Sequence, residues 1–197
     1  MPRPSVEAER RYQILTAACE VIATLGVPDL RLSDVAKTAG VSSGTVHYYF
    51  DTKKDLINAA FEFNLTESLS RRRELLSSTK NHLAILNDLV DSYLPKDAHS
   101  QRAWKVWLAL WTEATRDPTL RAVNEKLYGQ WRKVISDVIR GAQQDGTARR
   151  GNPVTQANIL IGMLDGLAVQ VLLESEAVTL ASVRRTIRAF IRDFIAQ

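Results

Sequence analysis

The sequence predicts an all-α protein of about nine helices. Apolar residues recur at i, i+3, i+4 and i+7 through nearly all of its 197 residues, and no segment makes a convincing strand. The breaks between these periodic runs carry Gly, Pro, Asp or Ser, the residues that end or cap helices. The elements divide into three short N-terminal helices, a connector and a larger helical bundle.

The first helix is predicted from about Ser5 to Leu25, with Ile14, Leu15, Ala18, Ile22 and Leu25 on one face. Gly26-Val27-Pro28-Asp29 stops it, since glycine suits the position after a helix and proline resists continuing one. Ser33 is placed to cap a short helix over residues 34–39, whose inner side carries Leu32, Val35, Ala36 and Ala39. Gly40 ends that helix, and Val41-Ser42-Ser43 opens a third through about Tyr49. Asp51 or Thr52 then caps a long connector helix, which runs through Leu56, Ala60, Phe63 and Leu69 to Arg71-Arg72-Arg73. That basic run reads as a solvated face. Further helices are expected over about 81–93, 101–116, 119–144, 153–174 and 181–196. The domain division is 1–52 and 53–197.

Composition narrows the class. The formal charge is +4 and the pI near 9.3, yet residues 1–55 hold seven Lys and Arg against seven Asp and Glu. Attraction to an anion in that region must come from where charges point and from backbone donors. The single cysteine, Cys19, excludes an internal disulfide framework and a multi-cysteine metal site, and fits a reducing cytoplasm. Met1-Pro2-Arg3-Pro4-Ser5 leads directly into charged residues without the apolar core of a signal peptide. No apolar run approaches membrane-span length. The three histidines (His47, His82, His99) lack zinc-site spacing, and neither a phosphate-cradling glycine loop nor a nucleophile elbow is present. No metal, cofactor or enzymatic activity is expected.

The informative stretch is Leu32 to Lys54. Two short helices meet at Ala39-Gly40-Val41-Ser42, where Gly40 allows a sharp reversal and Val41 can plug the gap between them. This is helix-turn-helix spacing, whose second helix enters the DNA major groove. Ser42, Ser43 and Thr45 supply hydroxyls at its N-terminal end, and Gly44 has no side chain to hold DNA away. His47, Tyr48 and Tyr49 offer donors to the sugar-phosphate backbone, and Lys53 a further phosphate contact.

At these residues the chain resembles the TetR family. The resemblance is carried by Ala36-x-x-Ala39-Gly40-Val41-Ser42-x-Gly44-x-x-x-Tyr48-x-Phe50, then Lys53-x-x-Leu56, and covers about the first 65 residues. It implies a three-helix DNA-binding domain in which Leu32 and Ser33 also reach the DNA backbone. His47 departs from it, standing where many relatives carry a tyrosine.

The C-terminal part carries an aromatic group and a carboxylate. Trp104, Trp107 and Trp111 share one helix face at i, i+3 and i+7, and Tyr93, Tyr128 and Trp131 lie on neighbouring helices. Such stripes are usually core, although several aromatic rings near a carboxylate can also cage a cation. Asp165 shares its face with Ile161, Ala168, Val169 and Leu172, so it projects from apolar surface and needs a partner. An internal arginine, hydrogen bonds or the amine of a ligand would serve. The helix over 153–174 is apolar nearly all round, with Leu160, Leu164, Leu167 and Val171 on one side, so it packs on more than one neighbour. The last helix adds Val183, Ile187, Phe190, Ile191 and Phe194.

Here a second resemblance applies. Ala103-Trp104-x-x-Trp107-Leu108-Ala109-x-Trp111, Asp117-Pro118 and Leu164-Asp165-Gly166-Leu167 look like the BetI-type C-terminal domain of choline-responsive repressors. That implies a cytoplasmic homodimer joined through the last two helices, by Leu160, Leu164, Leu167, Val171, Ile187, Phe190 and Phe194. It also implies palindromic double-stranded operator DNA as a partner, and release by a small effector. Ala168 stands where choline-type relatives tend to carry a tryptophan, leaving choline, a polyamine or another amine open. A neutral hydrophobic effector and an activator role share the same sequence features.

Overall fold

Residues 5–197 are described by the computed structural model; Met1 to Pro4, read above for a leader segment, lie outside them. Among the described residues there are ten α-helices. They are α1 (Val6–Asp29), α2 (Leu32–Ala39), α3 (Ser43–Tyr49), α4 (Lys53–Arg71), α5 (Arg73–Leu76), α6 (His82–Tyr93), α7 (Ala98–Ala114), α8 (Pro118–Gln144), α9 (Pro153–Leu172) and α10 (Leu180–Phe190). A π-helical turn, Ile191–Ile195, follows. No strand is found among these residues, only an isolated bridge between Ala148 and Ala196.

Capping explains most of the boundaries. The side chains of Ser5, Ser42 and Asn81 accept from backbone N–H groups of Ala8, Thr45 and Ala84, and Asn152 accepts from both Val154 and Thr155. Thr179 and Ser182 form a reciprocal capping box that opens α10. Each such bond satisfies a donor that the first helical turn leaves without a partner, worth ~1 kcal/mol.

Several boundaries differ from the sequence reading. Ser33 does not cap α2: the helix starts two residues earlier, at Leu32, Arg31 occupies the cap with extended backbone, and Ser33 lies exposed in the first turn. Gly26 does break α1, at φ 78° and ψ 174°, but Val27 to Asp29 form another helical turn beyond it. The connector breaks at Arg72 (φ −96°, ψ 0°), which produces the extra helix α5. Arg72 itself is not solvated but buried.

The chain divides into two compact units. The first runs to Ser68 and takes in Arg102–Leu127; the second holds Leu69–Gln101 and Tyr128–Gln197. In the first, Ile14, Ile22, Leu30, Val35, Val46, Leu56 and Phe61 are buried, with α2 packed on α1 and α3 on α2. Removal of a large apolar side chain from water stabilises by ~1.5–3 kcal/mol, enough to fix two helices too short to persist alone. Leu86, Leu89, Ile135, Ile139, Leu160, Leu164 and Ile187 are buried in the second. There α10 packs on α6 and α9. Arg184 holds Asp91 by a bond of 2.6 Å from its Nε, and Arg149 and Gln197 close the chain end by backbone bonds to Ile195 and Thr147.

Candidate DNA-reading helix and ligand site

Gly40 takes the left-handed conformation (φ 66°, ψ 35°) that an L side chain adopts only with strain, and its N–H closes α2. The Val41 N–H then bonds to the Ala36 carbonyl at 3.0 Å, which fixes the reversal. On the far side Ser42 Oγ accepts from Thr45 N at 3.0 Å and lies 2.8 Å from Thr45 Oγ1, so one serine caps α3 and orients its neighbour's hydroxyl. Val46 is buried, which points the opposite face of α3 outward. That face carries Ser43, Gly44, His47 and Tyr48, all exposed, with Thr45 and Tyr49 half-buried.

Tyr48 is 78% exposed and meets Tyr49 edge to face, leaving a large aromatic side chain in water without a core role. A Cβ at Gly44 would meet only Ser42 Oγ, at 3.7 Å. The chain's own packing therefore does not require glycine there. Leu32 is half-buried and Ser33 exposed at the start of α2. Lys53 donates to the Pro28 carbonyl at 3.0 Å, which ties the start of α4 to the end of α1.

In the second unit the structure brings together four of the seven residues proposed for an effector. Asp165 on α9 accepts from the Tyr93 hydroxyl on α6 at 2.9 Å and from the Tyr128 hydroxyl on α8 at 2.6 Å. Tyr93 stacks on Trp131, with ring centres 4.9 Å apart. Burial pushes the Asp165 carboxyl above the usual carboxylate range, and the two phenol bonds oppose that rise without cancelling it. Both phenols are themselves pushed up, first by burial and then by the neighbouring carboxylate. No ion pair reaches Asp165 among the described residues. The Trp131 indole N–H is buried there without a hydrogen-bond acceptor.

Arg72 is the site residue that sequence reasoning missed. It is 7% exposed and bonded to Ser92, with its guanidinium 5.8 Å from the Tyr93 ring centre and 5.5 Å from that of Trp131. Burial, aided by Arg71, lowers its pKa to about 10. Three arginines in a row gave no signal for it; the break in the helix turns the middle one inward.

Trp104, Trp107 and Trp111 cluster among themselves in the first unit, with ring centres 6.0 Å (104 to 111) and 6.3 Å (107 to 111) apart. Trp104 and Trp107 are buried and Trp111 is half-buried. Of the residues assigned to a dimer contact, Leu160, Leu164 and Ile187 are enclosed in their own unit, while Leu167, Val171 and Phe190 are half-buried. Phe194 is 65% exposed and stacks on Phe190. Apolar surface not singled out from the sequence also lies open on α9 and its C-cap: Ile159 (53% exposed) and Leu173 (68%), with Gly162 and Gly166 between them. By length and composition α9 could cross a membrane (mean hydropathy 1.3), but Ala157, Leu160, Ile161, Leu164 and Ala168 are buried in the bundle.

Three N-terminal helices that expose a capped third helix, in a chain that is otherwise helical, define a helix-turn-helix regulator of transcription. The family models agree. Residues 14–60 match that of bacterial regulatory proteins of the tetR family, and residues 83–196 match the C-terminal domain of BetI-type transcriptional repressors. The chain belongs to the TetR family, with a BetI-type C-terminal domain, and the family is one of regulators rather than enzymes. It is similar to the HTH-type transcriptional regulator BetI of Ectopseudomonas mendocina (29% identity, covering 94% of this chain and 93% of the relative). Among solved structures it resembles a protein of Saccharomonospora viridis described as a transcriptional regulator and crystallised with choline. That likeness has 31% identity and a TM-score of 0.87, covering 96% of this chain and 98% of the other. A second, described as a TetR-family regulator of Rhodococcus sp., has 25% identity and a TM-score of 0.84, covering 93% and 97%.

Proposed function

We propose that this regulator is a cytoplasmic repressor that binds palindromic operator DNA as a homodimer and is released by a small cationic amine anchored on Asp165. The observation that carries the effector reading is the state of that carboxylate. Both oxygens accept phenol hydrogen bonds, burial disfavours the ionised form, and among the described residues no cation neutralises it by an ion pair. A ligand ammonium would supply the missing charge, and the ring of Tyr93 stacked on Trp131 would supply apolar and cation–π contact. The choline bound by the Saccharomonospora viridis protein is chemistry of this kind. Ala168 is fully buried here, and choline, betaine and a polyamine are the candidates to compare.

The DNA-reading part is residues 1–52 and the sensing part 53–197, with α4 as the connector. Ser42, Ser43, Gly44 and Thr45 face bases and phosphates, while Leu32, Ser33, His47, Tyr48, Tyr49 and Lys53 hold the backbone. The open faces of α9 and of the Phe190–Phe194 pair support dimerisation through the last helices. Release requires that the ligand prefer the DNA-incompetent conformation, because equal affinity for both would shift nothing. The test is a thermal-shift screen against choline, betaine, putrescine, spermidine and neutral controls, followed by operator release against concentration. Stabilisation by neutral hydrophobic molecules and not by amines would overturn the cationic reading.

A further inference from the structure

A groove runs between the first turns of α1 and the start of α3. It is lined by Val6 and Arg10 from α1, by Gly40, Val41 and Ser42 of the turn, and by residues of α3 that include Thr45 and Tyr48. Among its described lining residues Arg10 is the one with a formal charge. The first 55 residues are neutral as a whole, so attraction to an anion depends on where the charges sit, and this groove holds a cation with no acidic residue in its described lining. Glu7 and Glu9, its neighbours on α1, do not line the groove.

Arg10 is held in place by the turn. Gln13 donates through Nε2 to the carbonyl of Ala39, the last residue of α2, and its Oε1 accepts from Arg10 Nη1 at 2.8 Å. Among the described residues no carboxylate pairs with Arg10. One of the five guanidinium donors is engaged by Gln13, which leaves donor capacity for an acceptor in the groove. The groove is open at its glycines: a Cβ on Gly40 would meet nothing within 4 Å. Hydroxyls of Ser42, Thr45, Tyr48 and Tyr49 border it. An open groove with one cation held by a neutral partner and lined by hydroxyl-bearing residues suits an extended chain of anionic acceptors.

We propose that this groove seats the sugar-phosphate backbone of one DNA strand, with Arg10 as its cationic anchor and Gln13 as the residue that positions it. α1 is then part of the DNA-contact surface and not only a support for the helix-turn-helix. The inference rests on the DNA-binding reading above.

The experiment measures fluorescence anisotropy on two labelled duplexes across a salt series, one of random sequence and one selected by the protein from a randomised pool. Arg10→Ala should weaken binding to both by a similar factor and lower the slope of log K against log salt by about one per bound head, leaving the selected consensus unchanged. Arg10→Lys should restore the slope. Gln13→Leu should weaken binding in the same sequence-independent way while leaving the charge in place. A wild-type protein that binds neither duplex would sink the DNA-binding reading itself. Wild-type binding with an unaltered slope in Arg10→Ala overturns this inference alone, and so does an altered consensus, which would make Arg10 a base reader.

Discussion

At the scale of single residues, Asp165 shows how a side chain acquires chemistry from its surroundings. Its two hydrogen-bond partners lie 72 and 37 positions away in the chain, on different helices. Asp165→Asn is expected to leave operator binding intact and to abolish release by the amine effector; release at the wild-type concentration would make Asp165 purely structural. Its raised pKa carries a second consequence. When a carboxyl titrates higher in the folded than in the unfolded chain, the folded state binds more protons, and stability falls as pH rises through that interval. The ligand-free Asp165→Asn protein should therefore melt at a higher temperature than wild type at pH 7. Below the ordinary carboxylate pKa, where both side chains are neutral, the gap should close. Effector affinity should likewise fall as acid protonates the anchor, beginning above the usual carboxylate range. The sequence showed that Asp165 sits on an apolar face and needs a partner. Which partner could not be read, because that depends on where α6 and α8 place two phenols.

At the scale of elements, α3 was legible because its determinants are local: a left-handed glycine, a serine cap and a short amphipathic turn all lie within ten residues. Its exposed face makes a graded prediction. Tyr48→Ala should weaken binding to all duplexes alike. Thr45→Ala should instead alter the preferred sequence, at a cost of about 1–3 kcal/mol for each base-specific interaction it removes. An unchanged selected-sequence profile for Thr45→Ala would remove its base-reading role. The junction of α6 and α8 was not legible. His82, the first residue of α6, bonds to Asp145 Oδ2 through both its backbone N–H (3.1 Å) and its ring Nδ1 (2.9 Å). The ring sits against Gly141 of α8, where a Cβ would overlap it. Alanine normally favours a helix over glycine by ~1 kcal/mol. Gly141→Ala should instead destabilise this protein, because the ring must leave Asp145, and should become stabilising in a His82→Ala background. Thermal melts of the four proteins in that cycle decide it; a favourable Gly141→Ala in the wild-type background would mean the ring moves without cost.

At the scale of the whole molecule, the open apolar surface of α9 predicts a homodimer. Ile159→Arg should give a folded monomer by sedimentation, with its helical content retained, since Ile159 is 53% exposed and contributes little to its own core. A dimer that tolerates Ile159→Arg would move the interface elsewhere. The helical class, the break at Gly26, the turn at Gly40 and the reading helix could all be derived from the sequence, because hydrophobic period, capping and left-handed glycine act over a few residues. Tertiary structure decided the rest. It turned Arg72 inward, placed two phenols on Asp165, set Arg10 beside α3, and divided the apolar residues of α9 between core and open surface. Each of these depends on which side chains meet across helices far apart in the chain, and a periodicity of 3.6 residues specifies a face without specifying what it meets.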